Sequence, residues 1–405
     1  MTLDIRTRDG STVYTAARNG NVLGYVAVNS TVAGRSCGGV RMMPDLTEDE
    51  VRALARAMTL KYGYLGLPQG GAKAGVVGDP EAPEGERRTI LGEFAREIAP
   101  LLRARAFIPS TDMGTSNADI RFMLESAGVK VRRRELLGNS SGYYTAVSAV
   151  AGVAEAARRA GLALSRATAA VEGFGRVGRE VAALLAGYGV KVVAVSTRCG
   201  GLYDGGGLDV ERLLRIAGEA GERVVELYGQ GRAIDKRLVT ELPVDVLCPC
   251  ARLHGIHSGN VARVSARIVC GGANDPIEPE AEKVLLGRGV LSPPDFVANC
   301  GGVLGGTMEF ASLRREYIAA FITRRVGAEI RRIHDEAERT GATPRAVAEG
   351  LALRRFEKVK QAAEHPGFSG RALSAGLALY RRGLVPSALV RAAAPGYFER
   401  LFDGA

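Results

Sequence analysis

Residues 167–197, ATAAVEGFGRVGREVAALLAGYGVKVVAVST, restrict the fold of this chain more than any other stretch. An apolar run of strand type enters GFGRVG, a helical pattern follows, and a second apolar run, KVVAVST, completes the unit. Strand, glycine turn, helix and strand in that order specify a βαβ unit of doubly wound type. Gly173 permits a tight turn, Gly175 lets backbone approach a pyrophosphate, and Gly178 brings the helix against the strand. Phe174, Arg176 and Val177 complete a loop whose amides and helix N-terminus favour an anion. A dinucleotide is the expected ligand. Apolar runs at 244–247 and 267–269 are expected to continue a parallel sheet.

The first 140 residues alternate strand-like runs (23–28, 106–109) with helical ones (49–64, 86–103, 118–127), which reads as an α/β or α+β domain. Within it, MTLKYGYLGLPQGGAKAGVVGDP (58–80) holds Lys61 and Lys73 twelve residues apart, with little other charge. Lys61 closes an amphipathic helical pattern. Lys73 follows Pro68, Gly70 and Gly71, where the chain is expected to bend and present its backbone closely. Two ammonium groups converging on one cleft, partly buried, would each disfavour the other's charge and leave one neutral near pH 7 as a general base. The plainer alternative is a pair of solvated lysines beside a loop.

Composition narrows the function classes. The 405 residues are 46% hydrophobic and 24% charged, an ordinary globular balance with room for two domains. No run of eighteen apolar residues occurs, and MTLDIRTRDG lacks a hydrophobic signal region, so the expectation is a cytoplasmic protein with no membrane partner. The net charge of +10 comes largely from scattered arginine pairs. Only 132–134 forms a denser run, and no aromatic residues interleave with it, so nucleic acid is not expected. Six dispersed cysteines argue for reduced thiols. Cys248, Cys250, His254 and His257 miss the usual zinc spacings, and no metal is expected.

Three further segments complete the pattern: SCGGVRMMPD at 36–45, IPSTDMGTSNADI at 108–120, and VCGGANDPI with PPDFVANCGGV at 269–277 and 293–303. With the two-lysine segment and GFGRVG, they resemble the glutamate, leucine, phenylalanine and valine dehydrogenase family, in order over about residues 20–355. The resemblance implies reversible oxidative deamination of an L-amino acid to a 2-oxo acid and ammonia with NAD or NADP. It implies that Lys61 grips the substrate carboxylate, that Lys73 activates water, and that Asp112 exchanges protons with the amino group. Gly38 and Gly39 would lie beside substrate, Thr145 near the cofactor, and Asn274 and Asn299 around nicotinamide and its ribose. Without the family, Asp112 reads as a helix cap or turn acid, and the two asparagines read as turn formers.

The departures are informative. Glutamate-specific members carry a lysine before the GG of GGVR and a serine seven residues after the asparagine of ANCGGV. This chain has Cys37 and Gly306, neither able to pair with a second carboxylate, so an apolar substrate is expected. The second strand of the dinucleotide unit ends on Thr197 and Arg198 where an acid usually meets the ribose of NAD, which inclines the cofactor expectation to NADP. The expected architecture is two α/β domains. Residues 1–143 form a substrate-binding and oligomerisation domain, 144–305 a Rossmann domain, and 306–405 helices returning to the first domain plus a tail without a recognised counterpart. The active site is expected in the cleft, and the protein as a homo-oligomer. Two rivals stand: a glutamate dehydrogenase with an atypical side-chain pocket, and a catalytically silent dinucleotide-binding regulator.

Overall fold

The computed structural model describes residues 2–131 and 140–403, so the arginine run at 132–134 lies outside the described residues. The chain divides into two compact units, Met1–Asn139 with Phe310–Ser312 and Glu349–Ala405, and Ser140–Glu309 with Leu313–Ala348.

The first unit is built on a six-stranded mixed sheet: β1 (Thr2–Arg8), β2 (Ser11–Arg18), β3 (Asn21–Val28), β4 (Ser36–Met43), β5 (Gly70–Val77) and β6 (Phe107–Thr111). Their spatial order is β1-β2-β3-β5-β4-β6. Two tight hairpins start it. Asp9-Gly10 and Asn19-Gly20 all take positive φ (46°, 74°, 51° and 82°), as two-residue turns matching the twist of antiparallel strands require. β4 runs parallel to both β5 and β6. Side chains alternate across these strands. Val40, Met42, Ala72, Ala74 and Val76 therefore enter a core with Leu91, Phe94, Phe107, Ile120 and Met123, while Cys37, Gly39, Arg41, Gly71 and Lys73 share the opposite face.

Helix Glu48–Tyr64 packs on that opposite face, entered through Thr47, whose hydroxyl accepts the Glu50 amide at 3.2 Å. The helical run expected over 86–103 is two helices, Glu84–Glu97 and Ala99–Arg103, broken at Ile98 before Pro100. Two glycine-rich segments are strands, although a bend was expected at Gly70 and Gly71. Gly70 and Gly71 lie in β5, Gly38 and Gly39 in β4, and none takes positive φ. What they need is proximity: a Cβ on Gly38 would lie 1.7 Å from the Ala72 carbonyl oxygen, and one on Gly71 2.1 Å from the Thr59 nitrogen.

The second unit holds β7 (Thr168–Glu172), β8 (Lys191–Thr197), β9 (Gly200–Tyr203), β10 (Arg232–Ile234), β11 (Val246–Pro249) and β12 (Ile268–Val269), ordered β10-β9-β8-β7-β11-β12. β8, β7, β11 and β12 are parallel, as in a doubly wound sheet. The far edge is not: β9 and β10 are antiparallel. Only Arg198 and Cys199 link β8 to β9, and a parallel crossover needs a dozen or more residues.

The C-terminal helices do not all return to the first unit. Helix Arg315–Thr340 belongs to the second, because its stripe Ile318, Ile322, Val326, Ile330 and Ile333 is buried there alongside helix Ser141–Arg159. Arg331 clamps Glu155 through two hydrogen bonds of 3.0 Å. No described helix is long and apolar enough to cross a membrane.

Candidate active site and dinucleotide loop

β5 places Lys73 beside Asp112, which follows the end of β6. Lys73 Nζ lies 2.5 Å from Asp112 Oδ2. Arg41, two positions past Gly39 on β4, reaches the same oxygen through Nε at 3.1 Å and donates through its terminal nitrogen to Glu50 Oε1 at 2.6 Å. The result is a chain of alternating charge, Lys73, Asp112, Arg41 and Glu50. Lys73, Arg41 and Glu50 are buried and Asp112 is partly so, which is tolerable because each is paired, since an unpaired buried ion costs several kcal/mol. Gly39 makes the gathering possible: a Cβ there would sit 2.8 Å from Asp112 Cβ and 3.2 Å from Lys73 Nζ.

Lys73 is 2% exposed, and burial lowers its pKa below the usual 10.5, opposed by Asp112 and assisted by the Arg41 guanidinium. The cation that adds to burial here is Arg41, a residue quoted within GGVR to which the sequence reading gave no role. Arg41 and Lys73 together outweigh burial at Asp112 and hold its carboxyl well below the usual carboxylate range. Asp112 is not a helix cap: Ser116 caps helix Asn117–Ser126, closing a capping box with Asp119. Lys61 is buried in the last turn of helix Glu48–Tyr64. Cys37 meets the Tyr62 hydroxyl, and burial raises both pKa values, leaving a neutral pair near pH 7.

In the second unit the glycine loop closes tightly. Gly173 has φ 88°, its amide donates to Ser196 Oγ at 3.0 Å, and a Cβ on it would meet Ala251 at 2.7 Å. Phe174 is buried and its amide donates to the Ser196 carbonyl at 2.6 Å. Gly175 faces open space, Arg176 and Val177 begin helix Arg176–Gly187, and a Cβ on Gly178 would lie 1.9 Å from the Gly173 oxygen. Asn299 Nδ2 donates to the Ala273 carbonyl at 2.7 Å and approaches Asn274 Oδ1 at 3.4 Å. Its buried Oδ1 has no hydrogen-bond partner among the described residues. Thr145 Oγ1 donates to Ser141 O at 2.8 Å and lies against Gly302, while among the described residues nothing is within 4 Å of where a Gly306 Cβ would be. Among the described residues, no group of three or more His, Cys, Asp or Glu side chains is placed to hold a metal ion.

Two acids escaped the sequence reading. Glu222 is brought to the end of β8, where its Oε2 meets Arg198 Nε at 2.6 Å. Nothing local could have announced it, since it is 24 residues away in sequence. Glu172, the last residue of β7, accepts the Ala251 amide at 3.2 Å, and burial pushes its pKa up from 4.5 to about 7. Between those values the native state holds a proton that the unfolded chain has released, so stability falls as pH rises through this window. Glu172→Gln keeps an acceptor for Ala251 and removes the charge. It should stabilise the protein at pH 8 by on the order of 3 kcal/mol, and little near pH 4.5. Denaturant midpoints at both pH values check this, and equal gains at both would contradict it.

Comparison with known proteins identifies the family. Residues 139–367 match the model of the Glutamate/Leucine/Phenylalanine/Valine dehydrogenase family, and 11–128 match the Glu/Leu/Phe/Val dehydrogenase dimerisation domain. A glutamate dehydrogenase of Thermotoga maritima is 39% identical over 295 residues, 69% of this chain and 70% of that protein. An NAD-specific glutamate dehydrogenase of Staphylococcus aureus is 33% identical over 306 residues, 73% of each. The hetero-hexameric glutamate dehydrogenase from Thermus thermophilus superposes with a TM-score of 0.72 at 28% identity, covering 87% of this chain and 88% of that one. The chain therefore belongs to the glutamate/leucine/phenylalanine/valine dehydrogenase family and is an oxidoreductase acting on the CH–NH2 group of amino acids.

Proposed function

We propose that the enzyme reversibly deaminates an apolar L-amino acid to its 2-oxo acid and ammonia, using NAD(P). The observation that carries the substrate class is Cys37. The position that holds a lysine in glutamate-specific members here holds a thiol hydrogen-bonded with the Tyr62 hydroxyl, both neutral near pH 7. A side-chain carboxylate would find no countercharge in that pair, at a cost of about 2 to 5 kcal/mol.

Lys61 pairs with the substrate carboxylate as a point charge. Lys73, once neutral, takes a proton from water attacking the iminium carbon and, as an ammonium, stabilises the oxygen of the carbinolamine that forms. Asp112 relays protons to and from the amino nitrogen. The pair titrates as a unit: when Lys73 loses its proton, one of the two cations holding Asp112 disappears, and the carboxylate's proton affinity rises. Arg41 and Glu50 keep the carboxylate in place throughout.

NAD(P), when bound, supplies the hydride acceptor. The residues present fit it: the open Gly175 face suits a pyrophosphate at the helix N-terminus, and the unpartnered Asn299 Oδ1 suits a carboxamide NH2. The expectation of NADP rested on the absence of an acid at the end of β8. Glu222 reaches that place from elsewhere, opposed by Arg198, so the reading here is a site that admits both dinucleotides. Assembly is proposed as a homo-oligomer, with 11–128 matching the family's dimerisation domain.

The relatives named above are glutamate dehydrogenases, which keeps glutamate as the second reading. Oxidation rates for a panel of L-amino acids with each cofactor decide between them. The expected result is kcat/KM for the best apolar substrate exceeding that for glutamate by about 30-fold or more. Activity confined to glutamate would remove the Cys37 argument, and activity on none would favour a silent regulator.

A further inference from the structure

The end of β8 is where the adenosine ribose lies in a doubly wound sheet. Thr197 cannot read it. On this buried residue the hydroxyl donates its one proton to the Glu222 carbonyl at 2.7 Å and accepts the Cys199 amide at 3.2 Å, so it holds two segments together and has no donor left to offer. What reaches solvent at this edge is different. The two-residue link to β9 puts Arg198 at the tip of a hairpin, and the tether from Thr197 delivers Glu222, which follows helix Val210–Ala220, against it.

We propose that Glu222 is the acid that reads the adenosine ribose, and that its pairing with Arg198 sets the balance between NAD and NADP. The proposal rests on the dinucleotide reading above and adds the residues that discriminate. A carboxylate accepts hydrogen bonds from a ribose 2′-hydroxyl and repels a 2′-phosphate. A guanidinium does the reverse, offering a planar fork of donors to phosphate.

Both chemistries are present within one contact, Arg198 Nε to Glu222 Oε2 at 2.6 Å. The side chains are 51% and 40% exposed, so solvent screens the pair and it opens readily to whichever ligand arrives. The surroundings are basic. Arg179, whose Nε donates to the Phe174 carbonyl at 3.2 Å, feels the Glu222 charge, and Lys236 Nζ donates to the Arg198 carbonyl at 3.1 Å. With Arg198, Arg179 and Lys236 around Glu222, removing the acid leaves these cations to favour a phosphate.

Direct binding tests this without turnover. Dissociation constants for NADH and NADPH are measured by nicotinamide fluorescence at fixed ionic strength for the wild type, Glu222→Gln and Arg198→Ala. Glu222→Gln should tighten NADPH and weaken NADH, moving the ratio of constants by about tenfold or more. Arg198→Ala should move the ratio the opposite way, chiefly by weakening NADPH. Glutamine leaves the backbone tether to Thr197 intact, and the arginine variant tests the same pair from its other side. If both cofactors bind all three proteins and the ratio stays within twofold of wild type, the proposal is overturned while the dinucleotide reading stands. If the wild type binds neither cofactor, both fall.

Discussion

Lys73→Ala should lower kcat by about 10³-fold or more while leaving the dissociation constant for NADH within about twofold of wild type. The lysine is buried against Asp112 and Arg41 in the first unit, whereas the glycine loop and Asn299 belong to the second. Loss of the amine removes the base and the group facing the developing oxygen together. Lys73→Arg separates these functions from mere charge, because a guanidinium keeps the cation but does not deprotonate in the working range. It should be nearly as inactive as the alanine variant.

In the wild type, kcat/KM should rise with pH as Lys73 loses its proton, and the midpoint of that limb should lie below 10.5, because burial and Arg41 both disfavour the ammonium. A limb at the ordinary lysine value would contradict the burial argument. Retained turnover in both variants would take Lys73 out of the mechanism.

Gly38→Ala should be the most damaging single methyl group in the first unit. The added carbon would lie 1.7 Å from the Ala72 carbonyl oxygen and 2.5 Å from its carbon, and both belong to backbone that no rotamer change can move aside. β4 and β5 must separate, which disturbs the parallel register carrying Arg41 and Lys73. A loss on the order of 3 kcal/mol or more is expected. Gly306→Ala is the control within the same protein. Nothing stands within 4 Å of its Cβ, and the site lies in helix Gly301–Phe310, where alanine is favoured over glycine by about 0.5 to 1 kcal/mol. Denaturant midpoints of the two variants should therefore move in opposite directions. Equal destabilisation would contradict the open space assigned to position 306.

These glycines mark where sequence reading reaches its limit. The order strand, GFGRVG, helix, strand was legible because each part is specified within about thirty residues, and a positive φ at Gly173 needs no distant partner. Helices Glu48–Tyr64 and Asn117–Ser126 were legible from apolar spacing and acidic or hydroxyl entry residues. The hairpins at Asp9-Gly10 and Asn19-Gly20 carried a local signal that the reading did not use. Gly38, Gly39, Gly70 and Gly71 were ambiguous in principle. A glycine required by a turn and a glycine required by a neighbouring backbone look the same until the neighbour is known.

By itself the sequence determined the dinucleotide unit and the two-lysine segment, since local pattern specifies these, while only the family resemblance singled out Asp112. The tertiary structure decided what surrounds them. It made Arg41 the partner that holds Asp112 and biases Lys73, turned the far edge of the second sheet antiparallel, and kept helix Arg315–Thr340 with the second unit. It also carried Glu222 to Arg198. The physical reason is shared: charge pairing, close backbone approach and burial are set by distances between segments remote in sequence, and those distances exist only once the sheets have formed.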